Sequence, residues 1–383
     1  MPLHIYKDLI TTLTKNNNNM KILFTGCTAK QVDDDAYKRA RVKRIDDSSI
    51  ICNSLRRQGY AVDRRKVKWG DDLNEYGLAI VGIGQFGSNN YSGDIFNAIY
   101  ALKTVKNVLI FHEDWKIDGT MKSWTKMLEQ EVFDKSVSKK WSDGRHFYGG
   151  VDHPEFDGDA AMEVIRKVAE GEFDHALIPA FDWGDKEKVR DIINMKNIYN
   201  IDLTPYVLEN WNISLDTPTQ PKERKHMLAS LVNHQPWVRR NKLKWPVDYF
   251  GAKSIKEASQ LATETDVFET CGKYWGILCP EYPHAGSGWF RIRWIYAAIQ
   301  KSVLLSSPKD TEALGLPVQN IESLSDNELV DYAKLQSDTV LSFMWTKEDF
   351  DNKIVDIVKG ICPELTVDLS QIIKPIHKQN SLF

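Results

Sequence analysis

Cysteine is scarce in this 383-residue chain: Cys27, Cys52, Cys271, Cys279 and Cys362 are odd in number, widely scattered and without a CxxC pair. That pattern excludes a disulfide framework and a thiolate zinc site, so the five read as reduced thiols. No stretch approaches the ~18 apolar residues that a membrane helix needs, and the first residues lack the basic, apolar and small-residue order of a secretory signal. A cytoplasmic protein with no membrane contact is therefore expected. An excess of one charge is missing too: 50 Lys and Arg stand against 53 Asp and Glu, a net charge of -3. Any affinity for nucleic acid must come from local patches. No repeat recurs at a fixed period, which sets aside solenoids and propellers. With 42% hydrophobic and 27% charged residues the composition is that of a soluble globular protein, and the length suits two domains.

What is present alternates between strand and helix patterns. KILFTG reads as a strand ending at Gly26, DSSIICNSLRRQG as a helix, YAVDRRKVKW as a second strand and LAIVGIGQFG as a third that runs into a glycine loop. SGDIFNAIYALKTV is an amphipathic helix and NVLIFHEDW a fourth strand. The polar, basic and aromatic stretch from Trp115 to Gly150 predicts an insertion or a pair of short helices over the sheet edge. AAMEVIRKVAEG and HALIPAF then restore helix and strand. ISLDTPTQPKERK has linker composition. HMLASLV, VDYFG, KYWGILCP and VLLSS predict a second sheet, with GWFRIRWIYAAIQK as the helix between the last two, and a helical tail follows from SLSDNELVDYAKL. Strands alternating with helices imply parallel, doubly wound α/β sheets. The expected organisation is an N-terminal extension (1–19), a first Rossmann-like domain (20–212), a linker (213–225), a second Rossmann-like domain (226–345) and C-terminal helices (346–383) that pack back across the domains.

Several motifs carry chemistry. Gly82, Gly84 and Gly87 form a GxGxxG between strand and helix, but after the third strand rather than the first, which favours a glycine turn at a cleft over a dinucleotide fingerprint. Glu113 and Asp114 follow the fourth strand, where open α/β sheets place ligands, and adjacent carboxylates raise each other's pKa and suit general-base work; a helix cap or solvated loop is the plainer alternative. Ala285-Gly286-Ser287-Gly288 opens a helix carrying Arg291 and Arg293, and free N–H groups beside a guanidinium fork suit a diphosphate. Arg239 and Arg240 could converge on the same phosphates. Asp33, Asp34 and Asp35 would suit a divalent cation but more simply complement the positive end of a helix, so no metal ligand is assigned.

Basic residues cluster at Lys38, Arg39, Arg41, Lys43 and Arg44, at Arg64, Arg65, Lys66 and Lys68, and in the insertion at Lys116, Lys122, Lys126, Lys139, Lys140 and Arg145. Trp124, Trp141, Phe147 and Tyr148 interleave the last group. Cations neutralise phosphates and aromatics stack on bases, so these predict a nucleic-acid surface, with a solvated face as the alternative.

The order of strands, VLIFHEDWK, VDYFG, NHQPWVRRNK and FRIRWIYAAIQKSVLLSS together resemble the GT-B glycosyltransferases, and within them the T-even phage DNA β-glucosyltransferases, from about Met20 to the C-terminal helix. The resemblance implies two facing Rossmann-like domains with a C-terminal helical tail. It implies Asp114 as catalytic base, or Glu113 if the strand's aromatic residue is aligned instead. It places Arg293 at the phosphate-binding arginine, with Arg239 or Arg240 on the diphosphate and Ser287 and Gly288 at the donor helix. Tyr296 stands where the family has a ribose-binding glutamate, which leaves a pentose donor open beside glucose. Gly26, Gly84 and Gly87 would line the cleft, and Arg41, Lys43, Arg44, Lys122, Trp124, Lys139, Lys140 and Arg145 the DNA surface.

The expected activity is sugar transfer from a UDP-sugar to the hydroxyl of a hydroxymethylated pyrimidine in double-stranded phage DNA. The expected enzyme is a monomer in the host cytoplasm, holds no tightly bound cofactor, and its dependence on Mg2+ or Mn2+ is open. The alternatives are transfer to a glycan, lipid or small molecule, an NAD-dependent oxidoreductase, and a nonenzymatic DNA-binding protein.

Overall fold

The computed structural model describes residues 20–26, 47–84, 95–112, 117–138, 154–179, 186–210, 212–215, 225–230, 244–250, 264–278, 292–305, 311–312, 315–317 and 320–367. The N-terminal extension 1–19 lies outside them, as do Cys27 and Cys279, the acids 33–35, and Trp141, Phe147 and Tyr148.

The first sheet contains β1 (Lys21–Gly26), β2 (Val62–Arg64), β3 (Tyr76–Ile83), β4 (Asn107–His112), β5 (His175–Ile178) and β6 (Asn197–Asn200). They are arranged β2-β1-β3-β4-β5-β6, and every pair is parallel. The intervening helices are α1 (Asp47–Arg57), α2 (Ile95–Thr104), α3 (Ile117–Lys126), α4 (Gln130–Ser138), α5 (Gly158–Glu170) and α6 (Lys186–Ile193), with α7 (Thr204–Asn210) after β6. All eight residues of β3 are buried, as a strand covered on both faces must be.

Alternation along the strands sorts the core into two layers. Leu23, Ala79, Val81, Val108 and Ile110 face the side occupied by α2 to α6, whereas Ile22, Phe24, Leu78, Ile80, Leu109 and Phe111 face α1. The predicted pair of helices after Trp115 is present as α3 and α4, but α3 belongs to the core, with Ile117, Met121 and Trp124 all buried. β6 has no counterpart in the sequence pattern. Its NIYN run lacks an apolar stretch because it is an edge strand, half-buried throughout.

The second sheet contains β7 (Lys225–Ser230), β8 (Val247–Tyr249), β9 (Tyr274–Leu278) and β10 (Val303–Leu305), ordered β10-β9-β7-β8 and also parallel. Both sheets thus place their third strand beside their first, on the side away from the second. Helices α8 (Glu264–Gly272) and α9 (Ile292–Ile299) lie between these strands, and α10 (Asp326–Ser342) follows. α10 starts at a reciprocal cap: the Ser325 hydroxyl accepts from the Glu328 N–H while the Glu328 carboxylate accepts from the Ser325 N–H.

The last described helix, α11 (Lys347–Ile361), leaves the second sheet behind. Its apolar face, Phe350, Ile354, Ile357 and Val358, joins the layer of Phe24, Ile51 and Leu109 on the first sheet. Asp351 fixes the docking: its Oδ1 accepts from Ser54 Oγ of α1 at 2.5 Å, Tyr206 OH of α7 at 2.6 Å and Arg57 at 3.3 Å. Where the chain crosses back, the carboxylate of buried Asp202 accepts the N–H groups of Thr204 at 2.8 Å and Trp345 at 2.9 Å. Burial pushes the Asp202 carboxyl above its ordinary pKa.

Candidate active site

In a parallel α/β sheet ligands gather at the carboxyl ends of the strands, at the point where the strand order reverses. In the first sheet that point lies between β1 and β3. Gly26 closes β1 opposite Gly82 with φ of 150°, and a Cβ built on it would stand 2.3 Å from the Gly82 carbonyl oxygen. Only glycine permits so close an approach of the two backbones. The predicted cleft glycine Gly26 therefore has a strict local reason. Beside it, β2 ends at Arg64, which is buried and donates from Nη1 to Ser49 Oγ of α1 at 2.6 Å.

β3 continues from Ile83 into Gly84, whose carbonyl accepts the Trp124 indole N–H at 3.4 Å. Ile83 pairs in register with His112, the last residue of β4. By alternation His112 faces the same side as Val108 and Ile110, the layer into which Trp124 and Thr120 of α3 also point. Neither His112 ring nitrogen has a hydrogen-bond partner, and burial alone pulls its pKa down to about 3. The imidazole is neutral at any ordinary pH. Thr120 Oγ1 and Thr25 Oγ1, both fully buried, likewise lack a partner.

At the corresponding end of the second sheet, β7 closes on Ser230, buried and with no partner for its Oγ. The described part of α9 starts at Ile292, with Arg293 next to it in the chain. Tyr296 is fully buried one turn on, its ring edge-to-face on Phe268 with centroids 5.7 Å apart. The structure thus places Tyr296, counted from the sequence among the donor-binding residues, in the apolar core of the second sheet.

Trp124 does not stand on the surface. The sequence places it on a DNA-facing surface, but it is 0% exposed, because the i, i+3, i+4, i+7 stripe of α3 turns Ile117, Thr120, Met121 and Trp124 inward together. Lys122, on the opposite side of that helix, is exposed and pairs with Asp118 at 3.5 Å. The second basic cluster is partly committed to the fold as well. Arg64 is buried and Arg65 pairs with Asp71 at 2.9 Å. Glu113, Asp114, Arg41, Lys43, Arg44, Gly87, Lys139, Lys140, Arg145, Arg239, Arg240, Ser287 and Gly288 lie outside the described residues. Sequence reasoning passed over His112, Thr25 and Thr120. The signal was available for His112, whose parity along β4 matches two core residues.

Among the described residues no group of three or more His, Cys, Asp or Glu is placed to hold a metal ion, and no helix is long and apolar enough to cross a membrane.

No family profile matches the chain, and no curated protein does. Among solved structures it is similar to T4 phage BGT in complex with its UDP-glucose substrate, at 11% identity and a TM-score of 0.45. It is also similar to the DNA modifying enzyme β-glucosyltransferase in the presence and absence of uridine diphosphoglucose, at 9% and 0.43, and to T4 phage BGT with UDP and Mn2+, at 11% and 0.44. In each case 90% of this chain and 96% of the other are covered.

Proposed function

We propose that this chain is a GT-B glycosyltransferase that moves a sugar from a UDP-sugar, glucose or a pentose such as arabinose, to the hydroxyl of a hydroxymethylated pyrimidine in phage DNA. The observation that carries the reading is the pair of parallel sheets wound in one strand order, each with a reversal point beside its first strand. One such sheet suits an acceptor and the other a nucleotide, with residues 20–212 and 226–345 as the two domains. In this reading Asp114, or Glu113, takes the acceptor hydroxyl's proton as that oxygen bonds to the anomeric carbon. The bond from carbon to the diphosphate oxygen breaks, and its electron pair leaves with UDP. Arg293, Arg239 or Arg240 and the N–H groups of the helix opening near Ser287 and Gly288 balance the charge on the departing diphosphate. A base within a duplex must be flipped out to react, and Arg41, Lys43, Arg44, Lys122, Lys139, Lys140 and Arg145 would hold the flanking phosphates.

The burial of Trp124 removes one aromatic from that surface and favours, as the second reading, a glycan, lipid or small-molecule acceptor. Two measurements separate the possibilities. Calorimetric titration should give UDP binding and none for NAD; the reverse result would make the chain a dinucleotide enzyme. Duplex DNA containing 5-hydroxymethylcytosine, incubated with UDP-glucose or UDP-arabinose with and without Mg2+ or Mn2+, should yield glycosylated nucleosides by mass spectrometry. UDP binding without any such product would move the acceptor to the second class.

Within the active site, Asp114→Asn should bind UDP normally while turnover falls by roughly 10²–10⁴-fold, the usual worth of a general base. Glu113→Gln is its control. If Glu113→Gln is the inactive variant and Asp114→Asn turns over, the base is Glu113.

A further inference from the structure

Buried polar side chains are almost always hydrogen-bonded, because each orphaned donor or acceptor costs roughly 1–3 kcal/mol. Three that are not, Thr25, His112 and Thr120, occupy one face and one end of the first sheet. Leu23 and Val81 fix the face of Thr25, Val108 and Ile110 that of His112, and the buried stripe of α3 that of Thr120. The arrangement is held from behind: Ile83 pairs with His112, and the next residue, Gly84, is tied by Trp124, one helical turn beyond Thr120. Thr25 pairs with Val81 and Val81 with Ile110, so Thr25 stands in the row of Ile110, two strands across and two residues short of His112, about 12 Å away.

We propose that His112 and Thr120, with Thr25 at the far side, form a subsite for an uncharged, hydrogen-bonding ring of the acceptor, and that His112 is its main specificity-determining residue. This rests on the glycosyltransferase reading. The chemistry of the three groups selects the ligand: two hydroxyls and an imidazole, all neutral, offer donors and acceptors but no charge to balance a phosphate or carboxylate. A nucleobase edge or sugar hydroxyls would satisfy them. The alternative is a buried water, which needs two to four such partners and would give the same three groups a purely structural role.

The test uses the full chain with His112→Phe, which keeps a ring and removes both nitrogens, and Thr120→Val, which keeps the shape and removes the hydroxyl. Three quantities are measured for each: melting temperature without ligand, affinity for UDP, and affinity of the UDP-bound protein for a duplex containing 5-hydroxymethylcytosine. The subsite predicts a melting temperature equal to or above that of the unsubstituted chain, UDP affinity within twofold, and duplex affinity at least tenfold weaker for His112→Phe. Thr120→Val should lose several-fold. Unchanged duplex affinity in both variants would overturn the proposal in favour of a buried water, as would a lower melting temperature for Thr120→Val with duplex affinity retained. Should His112→Phe fail to fold, Thr120→Val decides alone. If the unsubstituted chain binds UDP but not the duplex, the subsite falls and the donor half of the function stands; if it binds neither, both fall.

Discussion

The six-stranded and four-stranded sheets share one winding order and differ in how they are closed. The second sheet is covered by helices near it in sequence, with α8, α9 and α10 supplying Phe268, Trp294 to Ile299 and Val340 to its core. The first is covered on one face by its own helices, but on the other α1 and α7 share the cover with α11, which arrives only after the strands of the second sheet. Winding order is thus a local property, set by right-handed crossovers between neighbouring elements. Closure is not. A face can be left for a distant helix, provided something fixes that helix when it returns, and here Asp351 and Asp202 do so.

Phe350→Ala tests the separate closure of the first sheet most directly. Phe350 is fully buried and edge-to-face with Tyr206 at 5.3 Å, so its truncation should destabilise the first sheet by about 3–5 kcal/mol. If the sheets unfold separately, hydrogen exchange should quicken in β1, β3 and β4 and stay unchanged in β7 and β9. Equal acceleration in both sheets would mean one cooperative unit.

Each sheet also carries a tightly enclosed glycine. Gly26→Ala should cost about 3 kcal/mol, since the new methyl meets the Gly82 backbone and the φ is one that side chains rarely adopt. Gly276→Ala in β9 should cost less, about 1–2 kcal/mol, because its obstruction at 2.4 Å is Leu228 Cδ2, the end of a side chain that can turn away. Denaturant melts of the two variants give the ranking, and Gly276→Ala coming out the more costly would contradict it.

A pH series addresses the first sheet alone. His112 is neutral in the folded state down to about pH 3, whereas in the unfolded chain it takes a proton near 6.5. As pH falls through 6.5 the unfolded state gains a proton that the folded state refuses. Stability should therefore drop by about 2–3 kcal/mol between pH 7 and pH 4, and His112→Phe should flatten that limb. A limb of the same slope in the variant would assign it to other groups.

The smallest effect concerns two caps of one design. Ser325→Ala and Thr346→Ala should each cost about 1 kcal/mol, the former felt in the second sheet through α10 and the latter in the first through α11. Region-resolved hydrogen exchange tells them apart, and a shared response would again argue for a single unit.

Most of this architecture is legible in the residues. KILFTG, LAIVGIG, NVLIFH and KYWGIL are apolar runs bounded by glycine or polar loops, and all four are central strands, because a parallel strand covered on both faces needs no alternation. NIYN escaped for the converse reason: an edge strand has little apolar content to show. The face of a short helix is harder to read. α3 carries Lys122 and Lys126 among its apolar positions, so Trp124 reads from the sequence as part of a DNA-facing surface, whereas its indole is buried and donates to the Gly84 carbonyl. His112 is masked in the sequence by the two acids that follow it, although its parity along β4 matches the core residues Val108 and Ile110.

The return of α11 also bears on how the protein is made. A ribosome delivers β1 to β6 long before Phe350, Ile354 and Val358, so the part of that face which α1 and α7 do not cover waits while the second sheet is synthesised. Contacts such as Cys362 Sγ on the Gly77 carbonyl, at 3.4 Å, join residues from opposite ends of the described chain and are slow to find. The first sheet therefore completes its core only once α11 has been synthesised, at the same late stage at which α10 completes the second.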